Sequence, residues 1–535
     1  MNRRSYVVLG AILLVSGGAT VGAMRQTSTT FDEIIMMAGG ARGFATGKFD
    51  LVPEHPPLVQ YLYGLPIFLS NPVYPPEADP AFPRWSRANR FFYSENLFWL
   101  MGNDPERVAF LGRIMGALSA LALVVVTFSF ARRVASEGVG LLAAGLVGFL
   151  PDVLAHGGVA YNDVPHAFMF VAGVWAIDEA VRRPSVKHGA LAGGLVGLAL
   201  GTKFSALVLG PVALVLLAAE GVSRWRDRAW RVSLAKAAGV GFAAVYVLLV
   251  LIYRGDPLLA QLREGLGYTL AHAREGHGIP AFLLGKTSPT VWWYFYPVAF
   301  FLKTPAALHL LAVIAVVGAA TSPRGDWKAL LGSRLRAPLV GAAVFGGVLL
   351  RTDLALGFRH ALPVLPLVCI LVAAGVGLMW RATTRRVHAG IAAVVAWYAL
   401  SSLSFYPHFL AYTSEYVPSR DQGHKALVDS SLDWGQGLLA LRAFMREQGI
   451  ERVYLSYFGS ANPAGYGIEY VPLTSFFDLP EPDAVDDDAP APSYAVISAT
   501  NLQGIYLPND PFAPFRDVEP DWVVAHTLFV YRLDQ

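Results

Sequence analysis

Hydrophobic residues in this chain come in long runs, separated by short polar clusters, and the runs have the length of membrane-crossing helices. Window length separates about eleven of them. They lie near residues 6–24, 111–131, 138–155, 165–181, 189–201, 203–220, 237–253, 294–318, 338–350, 361–380 and 389–406. Every second polar cluster is basic. Arg3 and Arg4 precede the first run; Arg132 and Arg133, then Arg182, Arg183 and Lys187, follow later ones. Arg224, Arg226, Arg228, Arg231 and Lys236 come next, then Arg324, Lys328, Arg334 and Arg336, then Arg381, Arg385 and Arg386. Basic loops stay on the cytoplasmic side, so the N-terminus is expected inside and the C-terminus outside. Residues 189–201 rise only about 20 Å, against a hydrocarbon core of about 30 Å. With 203–220 they read as one span broken at Gly201, Thr202 and Lys203, which puts irregular backbone beside a protein-lined or wet cavity. A tilted hairpin is the plain alternative. The first run has a basic start and small residues near its end, as a signal peptide has, but its length favours an uncleaved span.

Three outer regions are large: 25–110, 254–293 and the tail. The expected organisation is a transmembrane domain over 1–406 and a small soluble α/β domain over 407–535. In the tail, "DWGQGLLALRAFMREQG" has helical spacing with a glycine at its end. "RVYLSYF", "SYAVISAT" and "WVVAHTLFVYRL" read as strands, and "LPEPDAVDDDAPAP" as an acidic, proline-rich loop. No internal repeat stands out. The fold class is therefore a polytopic α-helical membrane protein with a C-terminal extracytoplasmic α/β domain.

Composition agrees. The 535 residues are 54% hydrophobic and 15% charged, where soluble domains average about 25% charged. The net charge of +3 says little by itself. Cys369 is the single cysteine, so no intrachain disulfide or cysteine-rich metal site exists. No P-loop, dinucleotide-binding glycine pattern or HExxH occurs, which argues against nucleotide and zinc-protease chemistry. Membrane lipids are expected partners, and nucleic acid is not.

The candidate chemistry lies on the outer side. Asp32 and Glu33, in "FDEIIMMAGG", read plainly as an acidic pair at a helix start, with Thr29 or Thr30 as cap. "HPPL", residues 55–58, is a rigid turn: Pro56 and Pro57 fix their own φ and push His55 away from helix. Asp163 opens "DVPHAFMF", where capping is the competing role, and His166 shares its helix face. Lys203 stands inside a broken apolar stretch, an expensive position for an amine unless it snorkels outward. Region 254–303 adds Arg254, His272, Arg274, His277, Lys286 and Lys303 beside the aromatic "TVWWYFYP". His272 and His277 are five apart, a poor spacing for a shared zinc site. "LGFRHALPVLP" sets Arg359 and His360 at the outer end of a span. Many outer cations beside few outer carboxylates suggest an anionic ligand near the membrane plane, with phosphate the natural one.

On these residues a family resemblance emerges. "FDE" after the first span, "HPPL" some twenty residues later, "NDVPHAFMF", "GTKFSALVL", "WYFYPVAFFLKTPAAL", "GFRHALPVLP" and "DSSLDWGQGL" resemble segments of GT-C glycosyltransferases of family 39. These are of the protein O-mannosyltransferase and aminoarabinose lipid A transferase kind, in their bacterial subset. The resemblance implies a multi-pass enzyme of the bacterial cytoplasmic membrane. It would move a hexosyl, pentosyl or mannosyl-type sugar from a polyprenyl-phosphate donor to a lipid, polymer or protein acceptor on the outer face. It implies Asp32 as base with Glu33 beside it, and matches a second acidic position to Asp163. Lys203 matches by segment; Arg254, His272, Arg274, Arg359 and His360 match loosely as donor-phosphate cations, with His55 and His166 further candidates for substrate binding. It calls for no cofactor and leaves a divalent metal open. Ser431 stands where asparagine is expected and Gly437 where aspartate is expected, which leaves a chemical role for the tail unsettled. Two other readings stay open: a transporter or flippase of a lipid-linked sugar, and a non-catalytic envelope assembly protein.

Overall fold

The computed structural model describes residues 3–76, 87–275, 280–322, 335–353, 356–479 and 490–533. Among them, seven helices are long and apolar enough to cross a membrane, and two bent helix pairs raise that number to nine. The chain is a multi-pass helical membrane protein with a sheet-bearing tail. It opens with α1 (Arg3–Met24), followed outside the candidate spans by α2 (Glu33–Thr46), α3 (Pro57–Leu69) and α4 (Arg87–Glu95). Helices α2 and α3 meet at backbone distance: a Cβ on Gly40 would lie 2.1 Å from the Gln60 carbonyl oxygen.

Helix α5 (Pro105–Val134) shows how the sequence sets its own boundaries. Asp104 accepts hydrogen bonds from the Glu106 and Arg107 amides, Pro105 fills the first turn, and Arg132 and Arg133 face the carbonyl end. Next come α6 (Glu137–Gly148) and α7 (Pro151–Gly157), bent by 61°. The same device recurs between α13 (Phe295–Lys303) and α14 (Ala306–Thr321), bent by 107°. Each bend falls where a proline ring forces the preceding residue out of helical geometry: Leu150 takes ψ 125° and Thr304 takes ψ 142°. The apolar run 294–318 is therefore no straight span.

Between these pairs lie α8 (Asp163–Arg182), α9 (Val186–Thr202), α10 (Leu209–Arg224), α11 (Arg228–Ile252) and α12 (Ala260–Glu275). Helices α9 and α10 correct the broken-span expectation. Arg224, at the end of α10, donates to the Arg182 carbonyl just before α9 (2.8 Å), and the Trp230 indole donates to the Val181 carbonyl (3.0 Å). The chain thus runs out and returns, and these residues form a hairpin with its turn at Lys203. Helix α9 is 17 residues long because it includes polar Lys187 and His188, which hydropathy alone leaves out. It lies directly on α11: a Cβ on Gly189 would be 2.1 Å from the Ala237 carbonyl oxygen, and one on Gly193 2.1 Å from that of Gly241. Helices α15 (Arg336–Leu349), α16 (Leu365–Ala382) and α17 (Arg385–Leu403) complete the bundle. At the end away from Lys203, Arg336 ties α15 to Asp178 of α8 (3.2 Å) and Glu220 of α10 (2.9 Å).

A two-stranded ribbon, β1 (Ala281–Leu283) and β2 (Lys286–Ser288), follows α12. The tail carries α18 (Leu438–Gln448), which ends on left-handed Gly449 at φ 65°. Its sheet contains β3 (Arg452–Ser456), β4 (Glu469–Pro472), β5 (Tyr494–Ser498), β6 (Trp522–Val524) and β7 (Leu528–Arg532). The order is β4-β3-β5-β7-β6, parallel on both sides of β3 and antiparallel across β5–β7–β6. The stretch "WVVAHTLFVYRL" forms a hairpin instead of one strand, because Ala525 and His526 take φ 55° and 61°. Strand β4, with its glycine-punctuated approach, was not legible as a strand. Most of the acidic loop, residues 480–489, lies outside the described residues. The tail is stitched to the segment after α1: Ser28 donates to the Gly435 carbonyl (2.8 Å), and the Phe31 amide donates to the Trp434 carbonyl (2.9 Å).

A side chain at the α9–α11 crossing has no room to form. Gly193→Val should cost about 1–3 kcal/mol of stability through overpacking, read as a lower thermal-unfolding midpoint in detergent. The same change at Gly239, whose Cβ would meet nothing within 4 Å, should leave the midpoint nearly unchanged.

Candidate active site

The two neighbouring acids of "FDE" go to different places. Glu33 is completely buried. Its carboxylate takes a bidentate pair from Arg113 of α5 (2.7 and 2.8 Å), the Ala160 amide (2.8 Å) and the Thr30 amide (2.9 Å). Arg113 spends its remaining donors on the carbonyls of Met24, Thr27 and Ser28. Every strong group of Glu33 is thus used in pinning the exit of α1 onto α5, and it anchors the segment that presents Asp32.

Asp32 occupies the N-cap position of α2, yet its side chain makes no capping hydrogen bond. The carboxylate is half-buried and turned instead toward Arg359, 3.7 Å away. Asp163 behaves likewise at the start of α8. It is buried between Lys203 (2.6 Å) and Arg359 (3.3 Å), and Lys203 also lies 3.4 Å from Nδ1 of His360. One connected chain of charge therefore runs Asp32–Arg359–Asp163–Lys203. It joins the α1–α2 loop, the 3-10 turn Phe358–Ala361, α8 and the α9–α10 hairpin. Burial pushes the Asp32 carboxyl above its ordinary pKa, while Arg359 and then Arg90 pull it back. Arg90 is ion-paired with Glu54, whose own carboxyl burial also raises.

His55 is linked to Asp32 through Tyr161. Burial, with Lys203 and Arg359 nearby, lowers its pKa to about 3, so the ring is neutral near pH 7. Its Nδ1 faces the Asn162 amide nitrogen (3.3 Å), which only donates. The proton therefore sits on Nε2, assigned from these partners, and points at the Tyr161 hydroxyl (2.7 Å). Burial raises Tyr161 well above its ordinary pKa, so it keeps its proton and donates toward Asp32. The line Asn162–His55–Tyr161–Asp32 fixes where the carboxylate points. Beyond His55 a small, open cleft of about 80 Å³ lies between Phe49, Asp50, Pro53 and Tyr253.

The tail closes the site. The Arg359 guanidinium stacks on Trp434 (4.1 Å) and Tyr161 (4.8 Å), and its Nε donates to the Ser430 hydroxyl (3.1 Å). The Phe358 amide donates to Ser431 (3.0 Å).

Other candidates lie elsewhere. His166 is buried against Thr202 (3.4 Å) and Ser205 (2.9 Å), where it braces the turn that carries Lys203. Arg254 stacks on Phe49 (5.8 Å), beside the cleft and apart from the Lys203–Arg359 group. His272 and Arg274 lie on α12, but their side chains, like His277, fall outside the described residues. Lys303 is buried on the Leu410 and Tyr412 carbonyls (2.9 and 2.8 Å), holding the bundle to the start of the tail. No group of three or more His, Cys, Asp or Glu converges as metal ligands among the described residues. Sequence reasoning missed Arg90, Arg113, Tyr161, Ser430 and Trp434. Only Trp434 and Ser430 carried a signal, inside the quoted "DSSLDWGQG".

Residues 93–253 match the family model described as dolichyl-phosphate-mannose-protein mannosyltransferase. The matched stretch holds Asp163 and Lys203. No curated protein sequence matches the chain significantly. Among solved structures, ArnT from Cupriavidus metallidurans bound to undecaprenyl phosphate is similar at 14% identity and TM-score 0.47, over 79% of this chain and 69% of that one. Archaeal oligosaccharyltransferase AglB from Archaeoglobus fulgidus, in complex with an inhibitory peptide and a dolichol-phosphate, is similar at 11% identity and TM-score 0.49. That match covers 75% of this chain and 55% of the archaeal one. The S. cerevisiae Pmt1-Pmt2 complex bound to the sugar donor is similar at 16% identity and TM-score 0.32, over 51% of this chain and 34% of that one.

The two acids separate experimentally. Arg113→Met leaves Glu33 buried without its partner, which typically costs about 3–5 kcal/mol, so folded protein recovered in detergent should fall sharply. Asp32→Asn should leave that yield close to wild type.

Proposed function

We propose that the chain is a GT-C glycosyltransferase that moves a sugar from a polyprenyl-phosphate donor to an acceptor hydroxyl or amine. The observation that carries this reading is Asp32, an accessible acid unused for capping, 3.7 Å from a buried arginine that is itself linked through Asp163 to Lys203. The family match over 93–253 supports the donor class. The basic loops support a site on the outer face of the bacterial cytoplasmic membrane, with 1–406 as the transmembrane unit and 407–535 as the outer tail.

The bond to break joins sugar C1 to a phosphate oxygen. Negative charge grows on the departing phosphate, and Lys203 and Arg359 are the cations placed to stabilise it. Asp163 lies between them and keeps the two like charges at fixed positions. Asp32 takes the proton of the acceptor as it attacks C1, general-base help that typically contributes about 10²–10⁴-fold. Attack opposite the phosphate inverts C1. Tyr161, held by His55, keeps the Asp32 carboxylate aimed without removing its negative charge.

Comparing glycolipids, envelope polymers and envelope proteins by mass spectrometry, with and without this protein, should reveal one product lost in its absence. Asp32→Asn should lower that product by about 10²–10⁴-fold while binding of undecaprenyl phosphate persists. Near-normal product from that variant removes Asp32 from the mechanism. Sugar that stays on its carrier but changes leaflet identifies a flippase instead.

The pH–rate profile supplies a second check. Asp32 must be ionised to act as base, and its pKa lies above the ordinary carboxylate value, so activity should fall on the acid side at a correspondingly higher pH. Arg90 lowers that pKa, so Arg90→Ala should move the acid limb upward. An unmoved limb assigns it to another group.

A further inference from the structure

The sequence left the "DSSLDWGQG" stretch without a chemical role, and in the site Ser430, Ser431 and Trp434 only hold the Arg359 turn. Asp429 heads that stretch in a conformation few non-glycine residues adopt, φ 54°. Several bonds hold it there. Its amide donates to Thr500 Oγ1 (3.0 Å), and Thr500 is itself fixed on buried Asp433 (3.0 and 3.2 Å). The Ser430 amide donates to Asp429 Oδ1 (2.5 Å), and Ser430 joins the loop carrying Arg359 by bonds to the Leu356 carbonyl and the guanidinium. That loop approaches closely at Gly357, where φ is 147° and a Cβ would meet Ser430 Oγ at 2.1 Å. The turn is thus locked to the charged centre.

The other carboxylate oxygen of Asp429, Oδ2, accepts from the Tyr506 hydroxyl (2.7 Å). The Tyr506 ring packs against Phe476 (5.2 Å) and Phe458 (5.6 Å). Both of those rings contact Phe31 (5.9 and 5.6 Å), the residue before Asp32. An aromatic floor therefore runs from Asp429 to Asp32. Asp32, Phe31, Phe476, Tyr506 and Asp429 are all half-buried rather than sealed. A wall of aromatic rings with a few aimed polar groups is how a site orients a bound organic molecule.

We propose that Asp429, oriented by Tyr506, is the acceptor-positioning carboxylate of this enzyme, receiving a hydrogen bond from a hydroxyl or amine of the acceptor while another such group faces Asp32. This rests on the transferase reading. Burial brings Asp429 to about 6, with Tyr506 and Arg359 opposing the rise, so it is mostly ionised at neutral pH and accepts hydrogen bonds only. The competing role is a purely local turn, in which Oδ1 caps Ser430 and nothing else matters.

The test uses the full-length chain in membranes, with the protein-dependent product measured by mass spectrometry. Undecaprenyl phosphate serves as the binding probe, and sugar released to water reports donor cleavage without acceptor. Asp429→Asn should lower product about 10²-fold, the loss expected from misplacing a reactant. Tyr506→Phe should lower it less. Both should leave undecaprenyl phosphate binding and release to water unchanged, and Asp429→Glu, which keeps the charge, should recover part of the loss. Wild-type product from Asp429→Asn overturns the proposal. So does a parallel fall in binding and release to water, which marks a structural role. If wild-type protein itself transfers no sugar, the transferase reading falls first.

Discussion

The arginine at 359 is the constraint on which the site depends. A guanidinium this deeply enclosed is costly unless its charge and its five donors are answered. Asp163 and Asp32 supply opposite charge, Ser430 accepts from Nε, and Trp434 and Tyr161 cover its faces. These partners come from a helix start, two loops and the tail. Each must be in place for the others to be worth burying, so the charged centre and the joint between bundle and tail form together. Lys203, on the far side of Asp163, extends the same logic to the hairpin turn of α9 and α10.

Two adjacent acids show how position decides chemistry. Glu33 points back into the bundle and meets a bidentate arginine with two backbone amides, so nothing on it remains for a substrate. Asp32, one residue earlier, points the other way into a partly open site, with Arg359 at 3.7 Å as its ion-pair partner and Arg90 acting on it from further off. The fully answered carboxylate makes the backbone rigid, and the incompletely answered one keeps the capacity to take a proton. Rigid support beside the proposed base is what precise positioning requires.

The tail is bound into the site rather than hung from it. Backbone bonds tie 28–31 to 434–436, and the aromatic rings of Phe31, Phe458, Phe476 and Tyr506 fill the seam. On the proposed reading, a lipid-linked donor comes from the bilayer, and the seam between the membrane helices and the tail's sheet is where it would meet the acceptor.

The sequence by itself determined the helical bundle, α18 and strands β3 and β5, because apolar run length, caps and β-branched clusters act over a few residues; the bends at Pro151 and Pro305, inside runs read as single spans, came from the structure. It also marked Asp32, Asp163, Lys203 and Arg359 as candidate site residues, of which only Lys203 stood in a costly place by sequence alone. It did not decide that 189–220 is a hairpin, since a short apolar run looks alike whether the chain continues or turns back. Nor did it separate Asp32 from Glu33, or place Arg90, Arg113, Tyr161, Asp429 and Trp434. Those roles arise from pairings between residues far apart in the chain, such as Arg113 with Glu33 and Arg359 with Trp434. Only the tertiary structure brings them within a few ångströms, and electrostatic and hydrogen-bond energies are decided at that range.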